Sequence, residues 1–197
     1  PLEQNALFER LMRDRRWADA YFTWMNRLPE SQLKFLGNIF DGGFNLTPSN
    51  DGFGWRTHPD PAYRLDMAYP LNKKEARTLE VIFNGSLPKQ AMLMQQLLLL
   101  EPGTFRLSGE VNTEQLKAGE GLLWRLRCFN GVEITRTMLF QGNLAWKTFS
   151  QDFAVPVSAD CRVQHLSLAI SADINQPFIY EGIARFRHLT ILRAQSP

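Results

Sequence analysis

Three histidines, His58, His165 and His188, are the side chains best suited to proton transfer or metal ligation near neutral pH, and they fall in three separate segments. No two stand at the short spacing that presents a pair of imidazoles to one metal ion, and no second ligand motif surrounds any of them. Each reads as a surface or hydrogen-bonded polar residue. The sequence holds no Gly-x-Ser-x-Gly elbow, no phosphate-cradling glycine loop with a lysine and no Cys-x-x-Cys pair. Asp41-Gly42-Gly43 is a turn signal. Glu80 and Glu110 are the nearest candidates for a glycosidase carboxylate pair, whose separation of roughly 5 to 9.5 Å is set by the fold and not by spacing. The expectation is a chain that is not an enzyme and needs no cofactor, with a glycoside-active enzyme as the remaining catalytic alternative.

Cys128 and Cys161 are the only cysteines. They allow one disulfide, or two buried thiols acting as small hydrophobes. An oxidising compartment favours the bridge, and the reading leans to a periplasmic or otherwise extracytoplasmic setting. Lys and Arg number 22 against 20 Asp and Glu, so the totals carry none of the concentrated positive field that nucleic-acid binding relies on. The most apolar run, Ala91 to Leu100, is broken by Gln95 and Gln96 and is too short to cross a bilayer. The opening at Pro1 suggests a fragment or a processed product.

The elements that must position these residues change character near residue 40. Leu7, Phe8, Leu11 and Met12 recur at the spacing of one helical face, and Trp17, Ala20, Tyr21, Trp24, Met25 and Leu28 form a second such series up to Pro29. Residues 1–29 are therefore expected to form a helical hairpin, and residues 30–197 a β-sandwich. From Phe40 onward, apolar residues alternate with polar ones and turn residues recur about every ten positions. The spacing predicts strands over 62–68, 77–84, 93–100, 103–111, 121–130, 134–140, 146–155, 163–171 and 183–193. Alternation assigns Leu79, Val81 and Phe83, then Phe105, Leu107 and Val111, then Leu122, Trp124, Leu126 and Cys128, then Leu166, Leu168 and Ile170 to the core. Glu80, Arg106, Glu110, Arg125, Arg127, His165 and Ser167 fall on the outside. Leu97 and Leu99 point away from Leu98 and Leu100, so both sides of that strand need a cover.

Sugar recognition pairs an aromatic platform with planar polar groups. Trp55 in the glycine- and aspartate-rich segment 49–60 could supply the platform, with Arg125, Arg127 and His165 as the polar rim. The alternatives are that Trp55 anchors its loop to the core and that the arginines form a solvated face.

The succession Gly42-Gly43-Phe44-Asn45, Gly54-Trp55, Gln96 leading to Glu101-Pro102-Gly103-Thr104-Phe105-Arg106-Leu107-Ser108, Trp146-Lys147-Thr148-Phe149 and the final run Phe186 to Leu192 resembles carbohydrate-binding modules of the galactose-binding-like jelly-roll type. The resemblance spans residues 38–193 and implies a mainly β antiparallel sandwich. Such modules often hold a structural calcium ion, but Asn45 and Arg187 stand where the family places carboxylates. The substitution implies no calcium, with the Arg187 guanidinium expected to pair instead with Asp41 or Asp51. Ala20, Trp24 and Pro29 resemble the second helix of a tetratricopeptide repeat, and Leu7 to Met12 the first, a combination similar to the C-terminal part of certain bacterial repeat proteins. The expected partner is a polysaccharide or oligosaccharide, with no nucleic acid and no membrane span. The alternative is a scaffold that caps a repeat array and meets a protein partner through the hairpin.

Overall fold

The computed structural model describes residues 2–68, 76–172 and 178–194; Pro1 lies outside them. The helical periodicity of the N-terminal region becomes α1 (Leu2–Arg13) and α2 (Trp17–Met25), followed by a single turn, α3 (Glu30–Leu33). Pro29 does not itself end α2, which closes four residues earlier at Met25 with Asn26 as its cap; its extended backbone, with φ −56° and ψ 144°, starts α3 instead. Proline fits there because its fixed φ suits a helix start and its missing N–H would be unpaired anyway.

Among the described residues ten strands follow: β1 (Arg56–Thr57), β2 (Tyr63–Ala68), β3 (Thr78–Asn84), β4 (Met92–Leu98), β5 (Gly103–Ala118), β6 (Leu122–Cys128), β7 (Glu133–Arg136), β8 (Gly142–Val155), β9 (Gln164–Ile170) and β10 (Tyr180–Arg193). They form two five-stranded sheets. The first runs β1-β4-β9-β6-β7 and the second β2-β3-β10-β5-β8, with every pairing antiparallel. The expected core set is buried strand by strand, and Trp124, with no exposure, lies among Phe44, Trp55 and Phe186 at its centre. The two-residue β1 has too few positions to show alternation, and the sequence did not suggest it. Residues 40–43 form a turn, and the Phe44 N–H donates to Asp41 O.

A second apolar cluster joins Phe8, Leu11, Ala20 and Trp24 of the hairpin to Phe40 and Phe53, and Leu97 packs against it. The hairpin therefore lies on the outer side of the first sheet and covers one of the two leucines that needed cover. The cluster runs across the expected boundary at residue 29. Trp17 reaches Phe129 beyond β6, with ring centroids 4.9 Å apart, and Phe129 stacks on His165 at 5.6 Å.

Buried polar side chains fix the connections. Gln96, 1% exposed, turns into the interior of β4, where its Oε1 accepts from Phe40 N–H at 2.9 Å and its Nε2 donates to Phe40 O at 2.8 Å. Gln164, equally buried, spans Leu100 in the same two-sided way. Cys128 and Cys161 are joined in a disulfide, which ties the end of β6 to the short 3-10 turn Ala159–Cys161.

Gln96→Leu keeps the volume but strands a buried N–H and a buried C=O on Phe40, and chemical denaturation is expected to register a loss of at least about 2 kcal/mol. The disulfide closes a loop with a sequence separation of 33. Its removal in the Cys128→Ser, Cys161→Ser double variant is expected to cost about 3 kcal/mol, and unchanged stability on full reduction of the native chain would contradict the bond.

Candidate functional site

The outward polar residues do not share one face. Arg125, Arg127 and His165 lie on the first sheet, beside the hairpin, whereas Glu80, Arg106 and Glu110 lie on the second, on the opposite side of the sandwich. Ser167 is on the outer side of the first sheet but only 7% exposed, with its hydroxyl donating to Arg125 O. Trp55 is not available as a platform. It is 3% exposed, packs between Phe44 and Trp124, and donates its indole N–H to Asp41 O at 3.2 Å. The loop-anchoring alternative is the arrangement found.

The pairing expected of Arg187 is also corrected. Its guanidinium bonds Glu110 at 2.6 Å on the outer face of the second sheet, far from the role of an ion beside Asp41. Asp51 pairs instead with Arg27, at 2.9 Å. Asp41 is 2% exposed, and its carboxylate accepts from the backbone N–H and side-chain Nδ2 of Asn45 and from the N–H of Leu46, each at 2.7–2.8 Å. Burial pushes its pKa up, against the pull of these donors and of the nearby Arg77 guanidinium, which itself donates to Asn45 O. A carboxylate already ringed by N–H donors and a guanidinium does not fit a calcium ion, which needs several free oxygen ligands. The arginine at this turn is Arg77, at the approach to β3. Among the described residues, no three His, Cys, Asp or Glu side chains converge at metal-binding distance.

The second sheet's outer face carries a ladder of charged and amide groups around one aromatic ring. Arg185 on β10 bonds Glu80 on β3 at 2.6 Å, Asn112 on β5 at 3.1 Å and also Glu114. One row along, Glu110 receives both Arg187 and His188, the latter at 3.1 Å. Two adjacent residues of one strand reach the same partner because β10 is bulged: three steps from Arg187 to Thr190 face two from Glu110 to Ser108, and His188 takes φ 52°. A matching irregularity lies in β8, where Leu144 to Lys147 faces Val111 to Thr113. Trp146 lies on the same face, and the Arg187 guanidinium lies over the indole at 4.1 Å.

Of the five tryptophans, four are at most 6% exposed and Trp146 is 39% exposed. The sequence reading passed over Trp146, although a signal for it exists. Phe149, Phe153 and Val155 are the buried parity of β8, which leaves position 146 facing out. The parity of Ala184 and Phe186 likewise places Arg185 and Arg187 outside.

The ladder holds its side chains in fixed geometry before any ligand arrives, which lowers the ordering cost of binding. Glu110 is held below the usual carboxylate range by hydrogen bonds from His188 and Arg187, which keeps its negative charge opposite the two cations.

No protein-family model and no curated protein matches this chain. Solved structures do. A family 4 carbohydrate-binding module aligns with a TM-score of 0.57 and 14% identity over 79% of this chain and 99% of the module. A family 16 carbohydrate-binding module aligns at 0.50 and 17% identity over 80% of this chain and its own full length. The chain has the fold of a carbohydrate-binding module. The same sandwich recurs within an arabinose-bound α-L-arabinofuranosidase, at a TM-score of 0.51 and 13% identity, where the match covers 80% of this chain but 26% of that one.

Burial, and then the positive charge of Arg56, push the His165 imidazole below its ordinary pKa. With the folded-state pKa depressed, the unfolded chain takes the proton first. The stability contributed by neutral His165 is thus complete above about pH 6.5 and is lost as pH falls through the folded-state value. His165→Gln is expected to flatten the decline in melting temperature between about pH 7 and about pH 5, and parallel declines in both proteins would refute this.

Proposed function

We propose that this chain is a non-catalytic carbohydrate-binding module that receives an oligosaccharide or polysaccharide across the outer face of its second sheet, over Trp146. The observation that carries the reading is the exposure of Trp146 beside a ladder of fixed planar groups, when every other tryptophan is in the interior. A pyranose has an apolar face that suits an indole and a rim of hydroxyls that need donors and acceptors. Arg187 covers one side of the indole and fixes its tilt, while Glu110, Asn112 and Arg185 supply acceptors and donors on either side. The module-type fold supports the same class of ligand.

The hairpin serves as the junction to helical repeats of the tetratricopeptide kind. A second reading, assembly with another protein, draws on the hairpin's outer surface, where Phe22 is 56% and Leu7 47% exposed.

A glycan array on the purified chain, followed by calorimetry with any hit, tests the first reading. Trp146→Ala is expected to weaken binding about tenfold or more, which corresponds to about 1.4 kcal/mol, and Arg187→Ala to weaken it by loosening the ring. Silence across neutral and acidic glycans would remove the carbohydrate reading and leave assembly through the hairpin.

A further inference from the structure

The first sheet carries positive charge that the fold does not neutralise. Across its outer face the register places Arg56, Gln95, Ser167, Arg125 and Arg136 in one row, with His165 and Arg127 side by side in the next. Glu133 is shared between Arg125, at 3.3 Å, and Arg136, at 2.8 Å. Among the described residues, no carboxylate lies within ion-pair distance of Arg56 or Arg127. The Nε atoms of Arg56 and Arg127 are shielded from solvent and have no hydrogen-bond acceptor, whereas that of Arg125 has the Glu133 carboxylate 3.3 Å away. Two buried guanidinium donors without acceptors carry a desolvation cost that an arriving oxyanion would offset.

The space for such a group lies between α1 and the sheet. A cavity of about 180 Å³ is lined by Phe8, Glu9, Arg56, Gln95, Phe129 and His165. Its polar floor is held in place: Gln95 lies between His58 and His165, 3.3 Å from a ring nitrogen of each. Phe129 stacks on His165 and leaves 40% of its surface exposed at the edge. Among the described residues, the only carboxylate in the lining is Glu9, on the exposed side of α1.

We propose that this cavity is a second binding site, distinct from the Trp146 face, which takes an acidic sugar: the carboxylate of a hexuronate residue meets Arg56 and Gln95, and its ring lies against Phe129. A guanidinium matches a carboxylate in its own plane through two parallel N–H bonds. The cavity admits one residue rather than a run of them, so the site reads a chain end or a side branch. Arg127, one strand away, adds its charge without closing the mouth. That the site takes an oxyanion follows from the arginines alone; that a sugar carries it rests on the carbohydrate reading above.

The test is calorimetry of the whole chain with a short oligogalacturonate, with the same oligomer after carboxyl reduction, and with sodium sulfate. The acidic oligomer is expected to bind and to weaken as salt rises, while its reduced counterpart does not bind. Arg56→Gln and Arg127→Gln are each expected to weaken it, the former about tenfold or more. Glu9→Gln, a change on an exposed helix face that leaves folding intact, is expected to strengthen it about threefold.

Equal binding of the acidic and reduced oligomers, or no binding of either, overturns the proposal. Sulfate saturating the site as readily as the oligomer overturns the sugar assignment. Loss of the acidic oligomer in Trp146→Ala, with retention in Arg56→Gln, would move its site to the second sheet and likewise overturn the proposal. Neutral glycans failing on the array leave these outcomes unaffected, so the two readings fail separately.

Discussion

Three consecutive residues, Phe40, Asp41 and Gly42, hold the parts of this protein together. Phe40 is bound through both backbone polar groups by Gln96 of the first sheet, while its ring meets Trp24 of the hairpin at 5.1 Å. Asp41 accepts the indole N–H of Trp55 on its carbonyl and gathers the next turn around its carboxylate. Gly42 accepts from Leu189 N–H of the second sheet at 2.9 Å. Both sheets, the central aromatic core and the helices thus converge on one buried turn. The backbone requirements are narrow: Asp41 takes φ 50°, and a Cβ on Gly42 would stand 1.9 Å from Leu189 O. A left-handed aspartate is unfavourable by itself, and the dense hydrogen bonding around it holds it there.

That turn also shapes the surface. Leu189 follows His188, the bulged residue of β10. Anchoring Leu189 to Gly42 from the inside accommodates the extra residue, and the bulge is what brings Arg187 and His188 together on Glu110. The position of the guanidinium over Trp146 follows from it. A buried loop contact more than a hundred residues away in sequence is therefore linked to the geometry of an exposed face.

Alternation made the core legible from the sequence, because a half-buried strand must place every second side chain inward, and Leu79, Val81 and Phe83 leave no other choice of face. It could not say which sheet a strand joins. Arg125 and Glu110 looked alike as outward polar residues, yet they lie on opposite sides of the sandwich, since sheet membership depends on long-range pairing. Bulges were equally hidden: neither the Ala145-Trp146 nor the Arg187-His188 pair contains a glycine or proline to mark one. Trp55 misled for a different reason. Its glycine-rich neighbours suggested an exposed loop, but here small residues let the loop backbone come close, and the ring is drawn inside. The arginine expected to replace the family's calcium ion had a counterpart in Arg77, a residue whose place beside Asp41 only the fold reveals.

The two faces differ in how their arginines are neutralised. On the second sheet, Arg185 and Arg187 each hold a carboxylate, so little net field extends beyond the surface, and a ligand proposed there would be recognised by shape and hydroxyl pattern. On the first sheet, Arg56 and Arg127 hold none, and attraction by unpaired charge weakens as the screening length shrinks. Under the two-site proposal the salinity of the surroundings would act as a selector: in dilute media both faces would be open to a polysaccharide, and in brine only the charge-balanced one would retain its grip.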